Sequence, residues 1–162
     1  MPTTDRSPQS LGEAALKGAL AALAGGLVLR AVWEAGQRAL PAGERLPSPT
    51  DEMVRALAAE RGATLTPGQT RAASLGMYSG VMLGWGATFN ALGTRLGVPP
   101  LAQGLALGAW IYALNFPKAT GVLPRKGILP APSEQAPAQA AVPVAAHAAF
   151  GLATAAALAA LD

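Results

Sequence analysis

The sequence predicts an all-α membrane protein, a bundle of four transmembrane helices, and three observations point to it. Of its 162 residues, 51% are hydrophobic and only 13% charged, about half the charge share of an ordinary soluble domain. The charges leave three long stretches free of Asp, Glu, Lys and Arg, at 72–94, 96–117 and 135–161. Each stretch meets the roughly 20 predominantly apolar residues that a helix needs to cross a ~30 Å hydrocarbon core. So much apolar sequence excludes general disorder, and the absence of cysteine excludes a disulfide scaffold.

The first helix is the most demanding to place. Gly18 to Leu29 supplies only 12 uncharged residues, about 18 Å of helix, so a full crossing must continue through Arg30 and Glu34 to about Gln37. Arg30 then snorkels towards the interface beside Trp33, with Glu34 one turn further out as its partner. A sharper alternative buries the two as an ion pair used in transport. A secretory signal fits poorly, because Asp5 and Glu13 precede the apolar core and no small-x-small cleavage site follows it.

The second helix, Ala72 to Leu92, is bracketed by Arg71 and Arg95, and Thr66, Pro67 and Gln69 form a start signature ahead of it. The third, Pro99 to Phe116, is opened by two prolines and closed by Pro117. Only Leu92 to Val98 separates these two, which predicts a tight hairpin. The fourth, Val142 to Leu161, is nearly all alanine and leucine, with His147 its one titratable group. Pro49 to Glu60 predicts a short amphipathic helix on the cytoplasmic face, capped by Ser48. The connection holding Pro130, Pro132 and Pro137 is expected to be extended and mobile. The organisation is an N-terminal tail, 1–15, followed by a single membrane domain, 16–161.

With four crossings both termini share a side. Arg6, Lys17 and Arg95 fall there, against nine Lys and Arg in the other two connections. The positive-inside rule places the richer side in the cytoplasm and both termini outside. A bacterial inner membrane with anionic headgroups beside these loops is the implied setting. The basic groups are diluted along loops and matched by Glu44, Asp51, Glu52 and Glu60, which gives no nucleic-acid surface.

Leu40, Pro41, Leu46, Pro47, Pro49, Thr50, Asp51 and Glu52 recur 83 residues later as Leu123, Pro124, Leu129, Pro130, Pro132, Ser133, Glu134 and Gln135. The same offset brings Gly25 onto Gly108 and Trp33 onto Phe116. A tandem duplication of a helical hairpin, about 16–94 and 99–161, accounts for this. Its copies would be parallel repeats rather than the inverted repeats common in alternating-access carriers.

Association in lipid depends on close backbone approach, which small residues permit. Gly18, Ala22 and Gly26, then Gly76, Gly80 and Gly84, then Gly104 and Gly108, recur at four-residue spacing. The second series is the strongest, and predicts that its helix is central to the bundle or makes a homo-oligomeric contact. Arg30, Glu34, Tyr78, Ser79, Asn115 and His147 all fall in the predicted cytoplasmic half. They either line one polar pocket or hydrogen-bond to neighbouring helices separately.

His147 could bridge helices as a neutral imidazole or relay protons. It has no second histidine and no cysteine beside it, so neither a metal nor a cofactor is expected. Ser79, His147 and Glu34 could be forced into a hydrolase triad, but no nucleophile-turn motif or phosphate-binding glycine loop accompanies them. The aromatic residues Trp33, Trp85, Trp110 and Tyr112 are too few for stacking on a cofactor.

A glycine-spaced helix carrying Trp110, then Pro117, Gly121, Val122, Leu123 and Pro124, a proline-rich stretch, and then His147, Phe150, Gly151 and Thr154 run from Gly104 to Thr154. This segment resembles the YagU-like family of small bacterial inner-membrane proteins of unknown function. Trp33 and Glu34 ahead of the prolines at 41, 47 and 49 look like that family's first helix end. Tyr78 stands where the family suggests another histidine, and Asn115 where an acidic residue often precedes the proline. The resemblance implies a four-helix membrane protein with no assigned activity. The expected function is therefore non-catalytic, a scaffold or accessory subunit of a membrane complex or a homo-oligomer. The alternative is a small transporter or proton-linked stress protein using Arg30, Glu34 and His147.

Overall fold

A computed structural model describes residues 10–161, and every regular element in it is helical. Residues 1–9 of the expected tail, with Asp5 and Arg6, lie outside the described residues. Helix α1 spans Leu11–Ala39, α2 Pro49–Ala59, α3 Pro67–Arg95, α4 Pro100–Asn115, α5 Val122–Arg125 and α6 Pro137–Leu161. Short 3-10 turns at Ala42–Glu44 and Pro132–Glu134 punctuate the two longer connections.

Helix boundaries follow local chemistry. The Ser10 hydroxyl accepts from the Glu13 N–H at the start of α1, and Ser48 does the same for Asp51 at α2, where Pro49 fills the first helical position. Thr66 and Gln69 form a reciprocal capping box at α3. Gly97, at φ +66°, turns the chain between α3 and α4, where a side chain would be strained. Inside α6, Pro143 is accommodated without ending the helix.

Two helices, α1 and α6, are long and apolar enough to cross a membrane. That reverses the expected ranking, in which 72–92 and 99–116 were the clearest spans. Helix α3 has 29 residues, but its glycines, serines, threonines, Asn90 and glutamine dilute its hydropathy. Helix α4 is only 16 residues long, ~24 Å of rise. Helix α1 does run on through Arg30 and Glu34.

Helix α1 packs along both α3 and α6, and α4 packs along α6; α3 and α4 meet only over a short stretch. Of the long helices, the central pair is thus α1 and α6, and the glycine-spaced α3 is not central. The α1–α3 crossing is set by Gly18 against the Gly86 carbonyl and Asn90, where a methyl group on either glycine would collide with the opposite helix. The α4–α6 crossing brings Gly104 and Gly108 onto Gly151 and the His147 carbonyl, and Gly25 lets α1 approach Phe150 and Thr154 of α6. The resulting core contains Ala22, Leu29, Met82, Leu107, Ile111 and Phe150. Between α3 and α4 the space is filled by aromatic rings: Trp85 lies edge-on to Trp110 at 5.5 Å, and Phe89 is 6.4 Å from Trp110.

The proline-rich second connection is not extended. Leu123, Leu129 and Ala131 are buried in it, because its leucines join Leu46 and Phe116 in a second apolar cluster over one end of the helices, flanked by Trp33, Met53 and Tyr112.

Glycine substitutions should separate the two kinds of position. Gly18→Ala is expected to cost about 1–3 kcal/mol through overpacking, whereas Gly76→Ala, with nothing within 4 Å of the added carbon, should be neutral or stabilise the chain by up to about 1 kcal/mol. Thermal unfolding of the detergent-solubilised chain measures both.

Candidate functional site

The polar residues singled out from the sequence fall into three places. Arg30 and Glu34 lie on the outer face of α1. The Arg30 Nε donates to Glu34 Oε1 at 2.9 Å, and Arg38 approaches the other carboxylate oxygen at 3.3 Å. The pair is exposed rather than buried between helices. Sequence reasoning missed Arg38, although Glu before Arg at i,i+4 is the stronger order and was there to be read. Tyr78, on α3, faces α1 and donates its hydroxyl to the Gly26 carbonyl at 2.5 Å, while Ser79 next to it is half-buried.

Asn115 and His147 lie elsewhere, on α4 and α6, and each bonds within its own helix. The Asn115 amide donates to the Ile111 carbonyl at 2.7 Å. His147 Nδ1 is 2.7 Å from the Pro143 carbonyl, which makes that nitrogen the protonated one and leaves Nε2 as an acceptor. The ring is buried and stands edge-on to Tyr112 at 5.7 Å and to Phe116 at 5.3 Å. Phe116 stacks on Tyr112 at 5.4 Å and touches Trp33 at 6.1 Å. His147 is therefore part of an aromatic hub that joins α1, α4 and α6, and its packing contacts dominate its surroundings. Among the described residues, no group of three or more His, Cys, Asp or Glu is placed to hold a metal ion.

Further polar contacts, one between helices and two between a helix and a connection, occur where the sequence gives weaker signals. The Asn90 amide donates to the Ala14 carbonyl at 2.6 Å, tying α3 to the start of α1. Gln37 accepts from the Leu46 N–H at 2.7 Å and holds the chain as it leaves α1. Gln103 donates to the Val98 carbonyl at 2.7 Å and fills the space that a side chain at Gly93 would need. A lone Asn or Gln in an apolar run marks such a bond, but its partner is a backbone carbonyl that no pattern identifies.

The glycine series splits in two. Gly104 and Gly108 sit at a helix crossing, whereas Gly76, Gly80 and Gly84 have nothing within 4 Å of the position a Cβ would take. They form the floor of a shallow groove on the outside of α3, bordered by Met77, Val81, Trp85 and Thr88. The Thr88 hydroxyl donates back to the Gly84 carbonyl at 2.8 Å, so the groove presents an apolar surface.

The connections are clasped by ion pairs. Lys126 meets Glu60 at 2.5 Å, joining the two connections, and Lys118 meets Glu134 at 2.6 Å. Gln139, at the start of α6, donates to the Glu44 carbonyl at 2.8 Å. The Lys126 ammonium holds the Glu60 carboxyl below the usual carboxylate range, and Lys118 does the same for Glu134.

Because both carboxyls titrate lower in the folded chain, the stability they add is present above the ordinary carboxylate range, about 4.3, and is lost as pH falls through their folded values. Acidification from about pH 5 to pH 3 should therefore loosen the clasp. Hydrogen exchange at Val122–Arg125 measures this, and Glu60→Gln should flatten the dependence. His147→Ala is expected to lower the melting temperature, through loss of the ring's buried contacts with Tyr112 and Phe116. A transport assay losing proton dependence at unchanged melting would reverse that assignment.

Compared with protein-family models, curated proteins and solved structures, the chain matches none of them.

Proposed function

We propose that the chain is a small multi-pass membrane protein, without catalytic activity, that works through helix packing as a scaffold or accessory subunit of a membrane complex. The observation that carries this is the open glycine face of α3. Every other run of helical glycines in the long helices is used: Gly18 and Gly86, Gly25, Gly104 and Gly108, and Gly151 all meet a neighbouring backbone or side chain. Among the described residues, Gly76, Gly80 and Gly84 are the series at four-residue spacing that offers the same closeness of approach with no helix upon it; Gly12 and Gly68 are also open, but each stands singly in the first turn of its helix. In lipid, where apolar burial gives no preference for protein over acyl chain, a glycine-spaced groove favours a docked helix through backbone proximity and van der Waals contact. The occupant is a transmembrane helix of a partner or α3 of a second copy.

The membrane setting is supported by the hydropathy of α1 and α6. It is supported too by the exposed leucines on these helices, Leu16, Leu20, Leu27 and Leu152. In this proposal α3 and α4 complete four crossings, with both connections on the cytoplasmic side of a bacterial inner membrane and both termini outside. Kinship with the YagU-like family is part of the same proposal. So is the tandem duplication, whose corresponding residues Trp33 and Phe116 touch and whose corresponding Leu46 and Leu129 share one cluster. A transporter or proton-linked stress protein draws less support, since Arg30 and Glu34 face outward and His147 is enclosed by rings on other helices.

The native chain contains no cysteine, so a single Gly80→Cys variant reports on the groove directly. In native membranes it should cross-link to one defined species, either itself or a partner, whereas Ala160→Cys should not. Blue-native electrophoresis of Gly80→Leu should show that species lost while the monomer's melting temperature is retained. A wild-type chain that migrates as a lone monomer and a Gly80→Cys variant that cross-links to nothing would end the proposal.

A further inference from the structure

The outward face of α1 changes character within one turn. Leu16, Leu20 and Leu27 are exposed along it, and the stripe then continues as Arg30, Glu34 and Arg38, spaced four residues apart so that they share the same side of the helix. Both arginines converge on one carboxylate, Arg30 on Oε1 and Arg38 on Oε2. The ladder keeps a net charge of +1, and the side chains of Arg30 and Arg38 are 69% and 77% exposed. Asp51 on α2 acts on Arg30 only as a weaker, longer-range charge.

A guanidinium has five N–H donors. Glu34 engages only Nε of Arg30 and one terminal nitrogen of Arg38, and the other donors of both forks have no hydrogen-bond partner among the described residues. Planar forks of this kind suit the oxygens of a phosphate, which they bind by paired charge-assisted hydrogen bonds. Their position matters equally. They begin where the exposed leucines stop, which on the proposed membrane placement of α1 is the level of the lipid headgroups.

We propose that Arg30 and Arg38, braced by Glu34, form a seat for the phosphodiester of an anionic membrane lipid. Glu34 has a distinct part in this. It holds the two cations about one helical turn to either side of itself and keeps their forks from folding back onto the backbone. This positioning turns two mobile side chains into a fixed pair. A zwitterionic lipid gains less, because its headgroup cation opposes the arginines, and an uncharged lipid without a phosphate offers the forks no anion.

The test uses the full chain in an uncharged detergent with equimolar phosphatidylglycerol and phosphatidylcholine, and native mass spectrometry to count bound lipids. Wild type should retain phosphatidylglycerol preferentially. The R30Q/R38Q variant should reduce that preference about fivefold per arginine removed, while R125Q, an exposed arginine of the other connection, should leave it unchanged. Should the double variant fail to fold, R38Q alone, which leaves the Arg30–Glu34 pair intact, should give the single fivefold loss. Millimolar inorganic phosphate should not displace the lipid. An unchanged preference in R30Q/R38Q or R38Q, an equal loss in R125Q, or displacement by inorganic phosphate would overturn the proposal. So would a protein that co-purifies with wild type and is lost with these arginines. Failure of the membrane placement itself is read separately, as release of the chain from cell membranes by alkaline extraction.

Discussion

Close contact between helix backbones is the constraint on which the rest of this structure depends. On α1, which packs against both α3 and α6, alanine or glycine occupies seven of the nine buried positions. Contact between Gly18 and Gly86, and between Gly104 and Gly151, lets neighbouring helices meet almost without intervening side chains. In water such an interface would bury little apolar area. In the proposed lipid setting, proximity itself supplies the attraction, through many weak dispersion contacts that lose about a quarter to a half of their strength if the helices separate by roughly an ångström. The aromatic residues are then placed where backbones cannot meet: Trp85, Phe89 and Trp110 fill the gap between α3 and α4.

At the other end, the connections behave as structure rather than tether. Leucines from both connections share a cluster with Phe116 and Trp33, and the Lys126–Glu60 pair and the Gln139–Glu44 contact stitch the two connections and α6 together. The hub of Trp33, Phe116, Tyr112 and His147 lies directly beneath this lid. Displacing a connection would therefore be felt by the helices, because Phe116 belongs at once to the lid cluster and to the ring contacts around His147.

Much of the architecture was legible in the sequence because helix starts depend on local chemistry. Ser48 with Pro49, and Thr66 with Pro67 and Gln69, act within four residues and mark α2 and α3 directly. The glycine spacings also announced close packing. What could not be read was which glycine series meets a neighbour within the chain, since Gly76, Gly80 and Gly84 have the same spacing as Gly18 and Gly26. Tertiary arrangement decides that, as it decides that the proline-rich segment folds back: Leu123 and Leu129 have nothing apolar to bury against until Leu46 and Phe116 arrive from distant parts of the chain. The candidate polar pocket rested on shared depth along the helices. Depth fixes height but not azimuth, and Arg30 points outward while His147 points inward at comparable levels.

The shortness of α4 has a mechanical consequence. In the proposed membrane placement, a helix with ~24 Å of rise packed along the longer α6 gives the bundle an uneven rim, and acyl chains next to α4 would compress to cover it. Each ångström of such mismatch costs only a fraction of a kilocalorie per mole, yet summed over a perimeter it is enough to sort proteins between thick and thin bilayers. A second molecule with an equally short side would share that compressed annulus, so that elastic relief of the lipid, without any direct recognition, would draw the two together.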